Sequence, residues 1–211
     1  MKNSASKLAN YLLNIKAVKL QARNPFVWAS GIKAPIYCDN RQLLSYPEIR
    51  TFLKKSFVEV IKTNFPDVEY IAGVATGAIA IGVLVADVME LPFVYVRPKP
   101  KEHGLKSQIE GYLPEGKKVV VIEDLISTGK SSLSAVEALR KNGANVLGMV
   151  AIFSYLLPVA EVNFEQANCK LLTLSDYNVL LKEALQLGYI DENELKILEE
   201  WRKEPENWWK K

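Results

Sequence analysis

One short segment restricts the possible folds more than any other. Lys118–Ile122 (KVVVI) places four β-branched residues in succession, with no polar position between them. A strand that is apolar at every position has to be covered on both faces, which is typical of parallel sheets. Other apolar runs predict strands at Tyr70–Val74, Phe93–Val96 and Val146–Phe153, separated by helices at Gly77–Met89 and Ser131–Asn142. This alternation predicts an α/β fold with a mainly parallel sheet flanked by helices.

The regions on either side of this pattern complete the predicted organisation. Helical spacing of apolar residues predicts further helices at Ala5–Leu20, Pro47–Asn64, Asp176–Leu187 and Asp191–Lys203. The aromatic-rich segment Phe26–Arg41 indicates short irregular strands or a hood-like flap. We expect one domain over residues 1–211, with the hood at about 22–45. We expect Trp201, Trp208 and Trp209 to serve internal packing or a dimer edge, with a separate partner site as the alternative.

Composition excludes several classes of protein. With 49% hydrophobic and 24% charged residues, the chain of 211 residues is ordinary for a globular protein and is neither disordered nor collagen-like. It lacks the apolar run of about 18 residues that predicts a transmembrane helix. Cys38 and Cys169 do not have the spacing of a disulfide framework or of a zinc site. We therefore expect a cytoplasmic protein that binds no membrane.

The positive charge of the chain is local. The net charge is +3, and residues 97–106 alone carry four bases and one acid, so the rest of the chain is neutral. Proteins that bind nucleic acid usually spread their basic residues over a face, so this cluster fits a small anionic ligand better. The bases lie in a long polar stretch, Pro98–Gly116, which predicts no strand. Loops of this length are usually lids or disordered linkers, and we expect a functional lid at about 97–116, with a solvated loop as the alternative.

The candidate site follows the most apolar strand. In VVVIEDLISTGKSS (Val119–Ser132), Glu123 and Asp124 precede a turn rich in hydroxyl groups and glycine, Ser127–Ser131, which leads into a helix. Ligands of open parallel sheets bind beyond the carboxyl ends of the strands, and the N-terminus of a helix suits phosphate. Because two acids suit neighbouring sugar hydroxyls, the pattern predicts a ribose 5-phosphate site. Asp124 stands where a Walker A loop needs glycine, which leaves an ordinary strand-to-helix turn as the alternative.

A second turn of small residues, Ala75–Ala78, also joins a predicted strand to a predicted helix. Its backbone at Thr76 and Gly77 is able to approach an anionic group such as a diphosphate. By itself this signal is weak, because small residues also allow a helix to pack closely on a sheet.

Taken together, these motifs resemble those of the type I phosphoribosyltransferases, and among them the orotate phosphoribosyltransferase family. The resemblance rests on VVVIEDLISTGKSS, on the basic stretch VRPKPKEHGLKSQIEG (Val96–Gly111) and on FVWASGIKAPIYCDNR (Phe26–Arg41), which is similar to the hood of that family. It implies the type I phosphoribosyltransferase fold with a small N-terminal hood and a mobile active-site lid. It also implies transfer of ribose 5-phosphate from 5-phospho-α-D-ribose 1-diphosphate (PRPP) to orotate, a step of pyrimidine biosynthesis.

The same resemblance implies roles for individual residues. It makes Lys101, His103 and Asp124 the expected catalytic residues, and it places Ser127 near the orotate as well. The expected PRPP-binding residues are Arg97, Lys101, His103, Glu123, Asp124, Leu125, Ile126, Ser127, Thr128, Gly129, Lys130 and Ser131, with Thr76 and Gly77 at the diphosphate. Mg²⁺ is expected to be held mostly by substrate oxygens, with no protein residue as a direct ligand. The enzyme is expected to be a homodimer in which the lid of one subunit serves the site of its neighbour.

Several positions depart from the pattern of the family. Ala29 replaces a lysine of the hood, Lys130 stands where glycine is usual, and the strand-end arginine that some members use for the orotate carboxylate is missing. Lys33 and Arg41 are the candidates for binding that carboxylate. Two alternatives stay open: a phosphoribosyltransferase that uses another base, and a regulator of the same fold that binds nucleic acid.

Overall fold

A computed structural model describes residues 2–28, 31–99 and 108–210 of the chain. The first elements are α1 (Lys2–Asn14), β1 (Val18–Leu20), β2 (Phe26–Val27), β3 (Lys33–Ala34), β4 (Ile36–Cys38), α2 (Pro47–Asn64), β5 (Tyr70–Val74), α3 (Ile79–Met89) and β6 (Phe93–Val96). The chain continues with β7 (Ile109–Glu110), β8 (Lys118–Ile126), α4 (Lys130–Lys141), β9 (Asn145–Ser154), α5 (Pro158–Gln166), β10 (Leu171–Asp176), α6 (Tyr177–Gln186) and α7 (Glu192–Lys203). Two 3₁₀ turns lie at Asn40–Ser45 and Trp208–Lys210.

Six strands form the central sheet, in the order β10-β9-β8-β5-β6-β7. All neighbouring strands are parallel except β6 and β7, which are antiparallel. β8 lies inside the sheet, with β5 on one side and β9 on the other. The predicted α/β fold with a mainly parallel sheet is therefore confirmed. Because β8, β5 and β6 are parallel neighbours, their carboxyl ends meet at the same end of the sheet.

Apolar layers cover both faces of β8. Val120 and Ile122 pack in one cluster with residues of α1, α2, α3 and α6, whereas Val119 and Val121 pack in a second cluster with residues of α4 and α5. All four side chains are completely buried. Successive side chains of the strand thus face opposite layers, which explains why every position of this run is apolar.

The predicted hood, at about residues 22–45, contains β2, β3 and β4. β2 pairs with β3, and β4 pairs with β1, which precedes the hood. Trp28, directly after β2, stacks on Tyr155 with the ring centroids 5.1 Å apart and meets the ring of Trp201 edge-on at 5.6 Å. Its indole N–H donates a hydrogen bond to the carbonyl of Ile36 at 3.0 Å. These contacts attach the hood to the carboxyl end of β9 and to α7. Trp201 is fully buried and serves internal packing.

The prediction for the first helix is wrong at its C-terminal end. The helix ends at Asn14 rather than at Leu20. Lys16 takes a left-handed conformation with φ of 58°, which ends the helical path. The following residues form β1 and pair with β4.

Two predictions near the site also need correction. β8 continues to Ile126, so Glu123 and Asp124 lie within the strand and not after it. Their backbone pairs with β9 up to Ser154, and this pairing extends the strand beyond its apolar run. The polar stretch predicted to contain no strand includes β7, which pairs with β6.

The segment between β9 and α6 contains α5 and β10, neither of which the sequence pattern predicted. α5 covers the layer on the α4 side of the sheet, and β10 forms the edge strand beside β9. Across residues 2–28, 31–99 and 108–210, the helices lack the combination of length and apolar character that spanning a membrane demands.

Candidate active site

Asp124 lies where two strand-to-helix turns meet. Its carboxylate faces Gly77, the third residue of the turn Ala75–Ala78, which joins β5 to α3. A Cβ atom at Gly77 would lie 2.9 Å from Oδ1 of Asp124 and nearer still to Oδ2, so the turn needs glycine here for space. The structure thus brings the predicted acid for the ribose against the predicted diphosphate turn.

The turn Ala75–Ala78 is also joined to β6. The peptide bond between Ala75 and Thr76 is cis. The N–H of Ala75 donates to the carbonyl of Val96 at 2.9 Å, and Val96 is the last residue of β6. Thr76 is exposed and Gly77 half-buried, so the backbone of the turn is accessible at the end of the sheet.

The base of the predicted lid closes beside this turn. Arg97 and Gln108 exchange backbone and side-chain hydrogen bonds, with the N–H of Arg97 donating to the carbonyl of Gln108 at 2.8 Å and the Gln108 amide donating back at 2.9 Å. The Arg97 guanidinium, 36% exposed, lies 3.5 Å from the carboxylate of Glu110. Arg97 and Gln108 therefore lie side by side at the end of β6. Lys101 and His103 lie outside the described residues.

The turn after β8 presents an open helix N-terminus. Gly129 precedes α4 in a left-handed conformation (φ of 78°), and a Cβ there would meet the ring of Phe164 at 2.6 Å. The carbonyl of Thr128 accepts a hydrogen bond from the Asn163 side chain at 2.8 Å. Phe164 and Asn163 both belong to α5, and the hydrogen bond from Asn163 fixes the turn. Because Gly129 has no side chain to cap α4, the first N–H groups of this helix suit an anion.

The remaining predicted residues of this motif fall into two groups. The side chains of Leu125 and Ile126 pack in the apolar layers, so these two residues have only backbone groups to offer a ligand. Ser127 is half-buried, whereas Lys130 and Ser131 are exposed at the first turn of α4. These three side chains are accessible to a ligand at the turn.

Glu123 precedes Asp124 on β8, and the two carboxyl groups are within hydrogen-bond reach of each other. The Glu123 carboxylate accepts hydrogen bonds from the N–H of Asp124 and from the Ser132 hydroxyl, both at 2.8 Å. Only 4% of the residue is exposed. Burial, with the neighbouring charge of Asp124, raises the pKa of Glu123 to about 8.

Asn40 belongs to the site, although sequence reasoning did not identify it. The residue is 3% exposed, and its side-chain amide donates to the carbonyl of Asp124 at 2.6 Å. Its side-chain oxygen accepts from the Cys38 thiol at 3.2 Å, and burial raises the pKa of that thiol well above its ordinary value. This chain of contacts joins the hood to the backbone of Asp124. The partners are 84 positions apart, and only an unusual buried asparagine after β4 could have signalled the link.

The two basic candidates for the orotate carboxylate have other contacts. The Lys33 ammonium lies over the ring of Trp209, 5.0 Å from its centroid. The Arg41 guanidinium pairs with Asp39 at 2.7 Å, and this pairing lowers the pKa of Asp39. Arg41 is 60% exposed. It directly follows Asn40, whose side chain bonds to the backbone of Asp124. Ala29 lies outside the described residues.

Comparison with known proteins identifies the family of this chain. The model of the phosphoribosyl transferase domain matches residues 40–176. An orotate phosphoribosyltransferase of Porphyromonas gingivalis is 58% identical over 208 residues, covering 99% of both chains, and one of Streptococcus mutans is 55% identical over 204 residues, covering 97% of this chain and 98% of its own. The crystal structure of orotate phosphoribosyltransferase from Aeropyrum pernix superposes with a TM-score of 0.75 at 29% identity, over 87% of this chain and 99% of that one.

Proposed function

The chain belongs to the phosphoribosyltransferase family, and from this membership we propose how its residues transfer ribose 5-phosphate from PRPP to orotate. The products are orotidine 5′-phosphate and diphosphate, and the reaction is a step of pyrimidine biosynthesis. A ring nitrogen of orotate loses its proton and bonds to the anomeric carbon, while the bond from that carbon to the diphosphate oxygen breaks. Because the transition state has oxocarbenium character, the site has to orient the ribose, stabilise the leaving charge and exclude water.

The contact between Asp124 and Gly77 is the observation that carries this proposal. It places a carboxylate suited to ribose hydroxyls beside a backbone turn suited to the diphosphate. The anomeric carbon of PRPP joins these two groups. We assign Asp124 to the ribose, where its negative charge also favours the positive charge that builds on the ring.

The 5-phosphate is assigned to the turn after β8. The N–H groups of residues 127–131 and the positive end of the α4 dipole are suited to a phosphate group. The carbonyl of Thr128 is held by Asn163 of α5, which fixes the turn before the substrate arrives. Lys130, exposed at the start of α4, adds a positive charge that the usual glycine would not supply.

The leaving diphosphate is assigned to the turn at Thr76 and Gly77 and to the basic residues Arg97, Lys101 and His103. The backbone of the turn binds the group in the ground state, and the cations stabilise the charge that develops as the bond breaks. Removing one donor of this kind costs about 10²–10³ in rate. Closure of the lid would also exclude water from the ribose carbon.

Mg²⁺ fits this site as a partner of the substrate. Carboxylate, phosphate and hydroxyl oxygens are the ligands that Mg²⁺ prefers, and Asp124 is a half-buried carboxylate facing the diphosphate turn. We propose that substrate oxygens hold most of the ion, with Asp124 as the nearest protein carboxylate. When bound, the ion neutralises charge on the diphosphate.

Orotate is assigned to the space between Ser127 and the hood. The hood is fixed to the end of β9 by the stacking of Trp28 on Tyr155, so it covers the end of the sheet next to β8. Ser127 is half-buried at the turn below it. Arg41 and Lys33 are the proposed partners of the orotate carboxylate.

The assay for this function follows orotate by its ultraviolet absorbance. Loss of absorbance is expected only when protein, PRPP and Mg²⁺ are all present. A panel of uracil and purine bases serves as the control for base choice. Consumption of another base in place of orotate would contradict the assignment.

We further propose that the enzyme is a cytoplasmic homodimer in which each lid acts in the neighbouring site. Lys101→Ala and Asp124→Ala should each inactivate their homodimers, with Lys101→Ala lowering kcat by about 10²–10³. Mixed dimers of the two variants contain one complete site if the lid acts across the interface, so mixing should restore activity. Lys141→Ala is the control, because it removes the same charge from an exposed residue at the end of α4. A mixture as inactive as its components would show that the lid serves its own subunit.

A further inference from the structure

The C-terminal end of the chain contacts the hood at two places. The hood hairpin, which consists of β2 and β3, pairs Val27 with Lys33. On the β2 side, Trp28 meets the ring of Trp201 edge-on, with the centroids 5.6 Å apart. On the β3 side, the Lys33 ammonium lies 5.0 Å from the ring centroid of Trp209. Tryptophans of the C-terminal segment thus contact the hairpin from both of its strands.

The second of these tryptophans lies on a turn that is itself anchored. The turn Trp208–Lys210 follows α7, and the N–H of Trp208 donates to the carbonyl of Glu204 at 2.9 Å. Trp208 is half-buried and packs against the larger apolar cluster of the core. Its ring lies beside that of Trp209, with the centroids 5.3 Å apart. Trp209, which is 44% exposed, is therefore supported from the inside of the molecule.

The ring of Trp209 suits Lys33 as a partner. A lysine ammonium within about 6 Å of the centroid of a tryptophan ring is attracted by the negative face of that ring. In the part of the chain that the structure describes, this ring is the one group that pairs with the Lys33 ammonium. Lys33 is otherwise exposed, so removing the ring releases its ammonium to solvent.

We propose that Trp209 is a positioning residue for the base subsite, because it holds the hood hairpin through Lys33. The inference rests on the proposed function, which assigns orotate to the space between Ser127 and the hood. The hairpin is part of the cover of that space, whereas the turn assigned to the 5-phosphate is fixed from α5. Loss of the contact should therefore weaken orotate binding and spare PRPP binding.

A double-mutant cycle in the kinetic assay tests the proposal. KM for orotate and KM for PRPP are measured by the loss of orotate absorbance for the wild type, Trp209→Ala, Lys33→Ala and the double variant. Because an exposed cation–π contact of this kind contributes about two- to fivefold to an equilibrium, Trp209→Ala should raise KM for orotate by that factor. KM for PRPP should not change. Since Trp209 acts through Lys33, the double variant should be no weaker than Lys33→Ala.

Matched variants separate the cation–π contact from other effects. Trp209→Phe keeps an aromatic face for Lys33 and should recover most of the loss, whereas Trp209→Leu is apolar without that face and should behave as Trp209→Ala. Lys170→Ala is the control, because the Lys170 ammonium lies 5.2 Å from the ring centroid of Phe65. Lys170 directly precedes β10, at the end of the parallel sheet opposite to the site, so both KM values should be those of the wild type.

Hydrogen exchange tests the same contact without catalysis. Peptides that cover β2 and β3 should exchange about two- to fivefold faster in Trp209→Ala than in the wild type. Peptides of α2 should exchange at the wild-type rate, because α2 does not contact Trp209.

Four results would overturn the inference. The first is a wild-type KM for orotate together with wild-type exchange of the hairpin in Trp209→Ala. The second is a further loss when Trp209→Ala is added to Lys33→Ala, the third is a rise in KM for PRPP equal to that for orotate, and the fourth is equal kinetics of Trp209→Leu and Trp209→Phe.

Failure of the proposed function would give a different result. If the wild-type protein consumed another base, only the choice of orotate would be rejected, and the same variants would be compared with that base. If it consumed no base, the proposed function would be refuted, and hydrogen exchange would still decide whether Trp209 holds the hairpin.

Discussion

Adding a single methyl group at Gly77 should damage the site by displacing Asp124. An alanine Cβ would be 2.9 Å from Oδ1 of Asp124 and closer to Oδ2, inside the range in which one of the two groups has to move. Gly77 does not have a positive φ, so alanine is compatible with the backbone and the conflict is one of space. Both neighbours of Asp124, Glu123 and Leu125, pair with β9, so the Asp124 side chain gives way rather than its backbone.

The expected loss follows from the size of that displacement. A shift of about 1 Å in a positioning group costs about 10²-fold in rate. We therefore expect Gly77→Ala to lower kcat/KM for PRPP by about two orders of magnitude, measured by the loss of orotate absorbance at varied PRPP. The midpoint of thermal unfolding should stay close to that of the wild type.

Two comparisons separate this effect from general damage. Gly82→Ala introduces a similar conflict in α3, but with the ring of Phe93 at 2.7 Å, so it should lower the thermal midpoint and leave kcat/KM unchanged. In an Asp124→Ala background an alanine at position 77 has room. Adding it there should not lower kcat/KM any further. Kinetics of Gly77→Ala within threefold of wild type, or an equal loss in the Asp124→Ala background, would refute the reasoning.

Three further substitutions test other contacts. Asn40→Ala leaves the carbonyl of Asp124 without its buried donor and should reduce the free energy of unfolding in urea by about 1–3 kcal/mol; a smaller loss would mean that water replaces the amide. Trp28→Ala removes the stack on Tyr155 and should raise KM for orotate more than KM for PRPP, whereas equal changes would separate the hood from base binding. The Glu123 carboxyl has a pKa of about 8 in the folded chain against an ordinary 4.5, so the folded chain holds a proton that the unfolded chain releases, and stability falls as pH rises across that window. Glu123→Gln lacks this titration, so its thermal midpoint should gain on the wild type between pH 5 and pH 8.5, and a constant difference would contradict the shift.

The sheet was predictable because its signals are local. Lys118–Ile122 has the apolar composition of a strand that is covered on both faces. The turn that follows this strand is recognisable by its small and hydroxylated residues. The strand was nevertheless predicted to end too early, since acids are rare inside strands. Pairing with β9 extends the strand through Glu123 and Asp124. No property of the acids themselves reveals that pairing.

The contacts that orient the site were harder to predict because they join distant parts of the chain. Asn40 meets Asp124 across 84 positions, and Asn163 meets Thr128 across 35. The second contact depends on α5, a helix whose apolar pattern was too weak to predict. The sequence predicts which groups meet the substrate, whereas the groups that hold them in place became evident only from the fold.

The edge-on contact between Trp28 and Trp201 has a consequence for exchanging parts between related enzymes. Both tryptophans lie outside residues 40–176, the part that matches the phosphoribosyl transferase domain. The central part holds the residues that we assign to the sugar and the phosphates, while the hood is supported by α7 from the far end of the chain. A chimera that imports a foreign hood alone would set an unmatched ring against Trp201, so base preference should be transferable only when both flanking segments are exchanged as one unit.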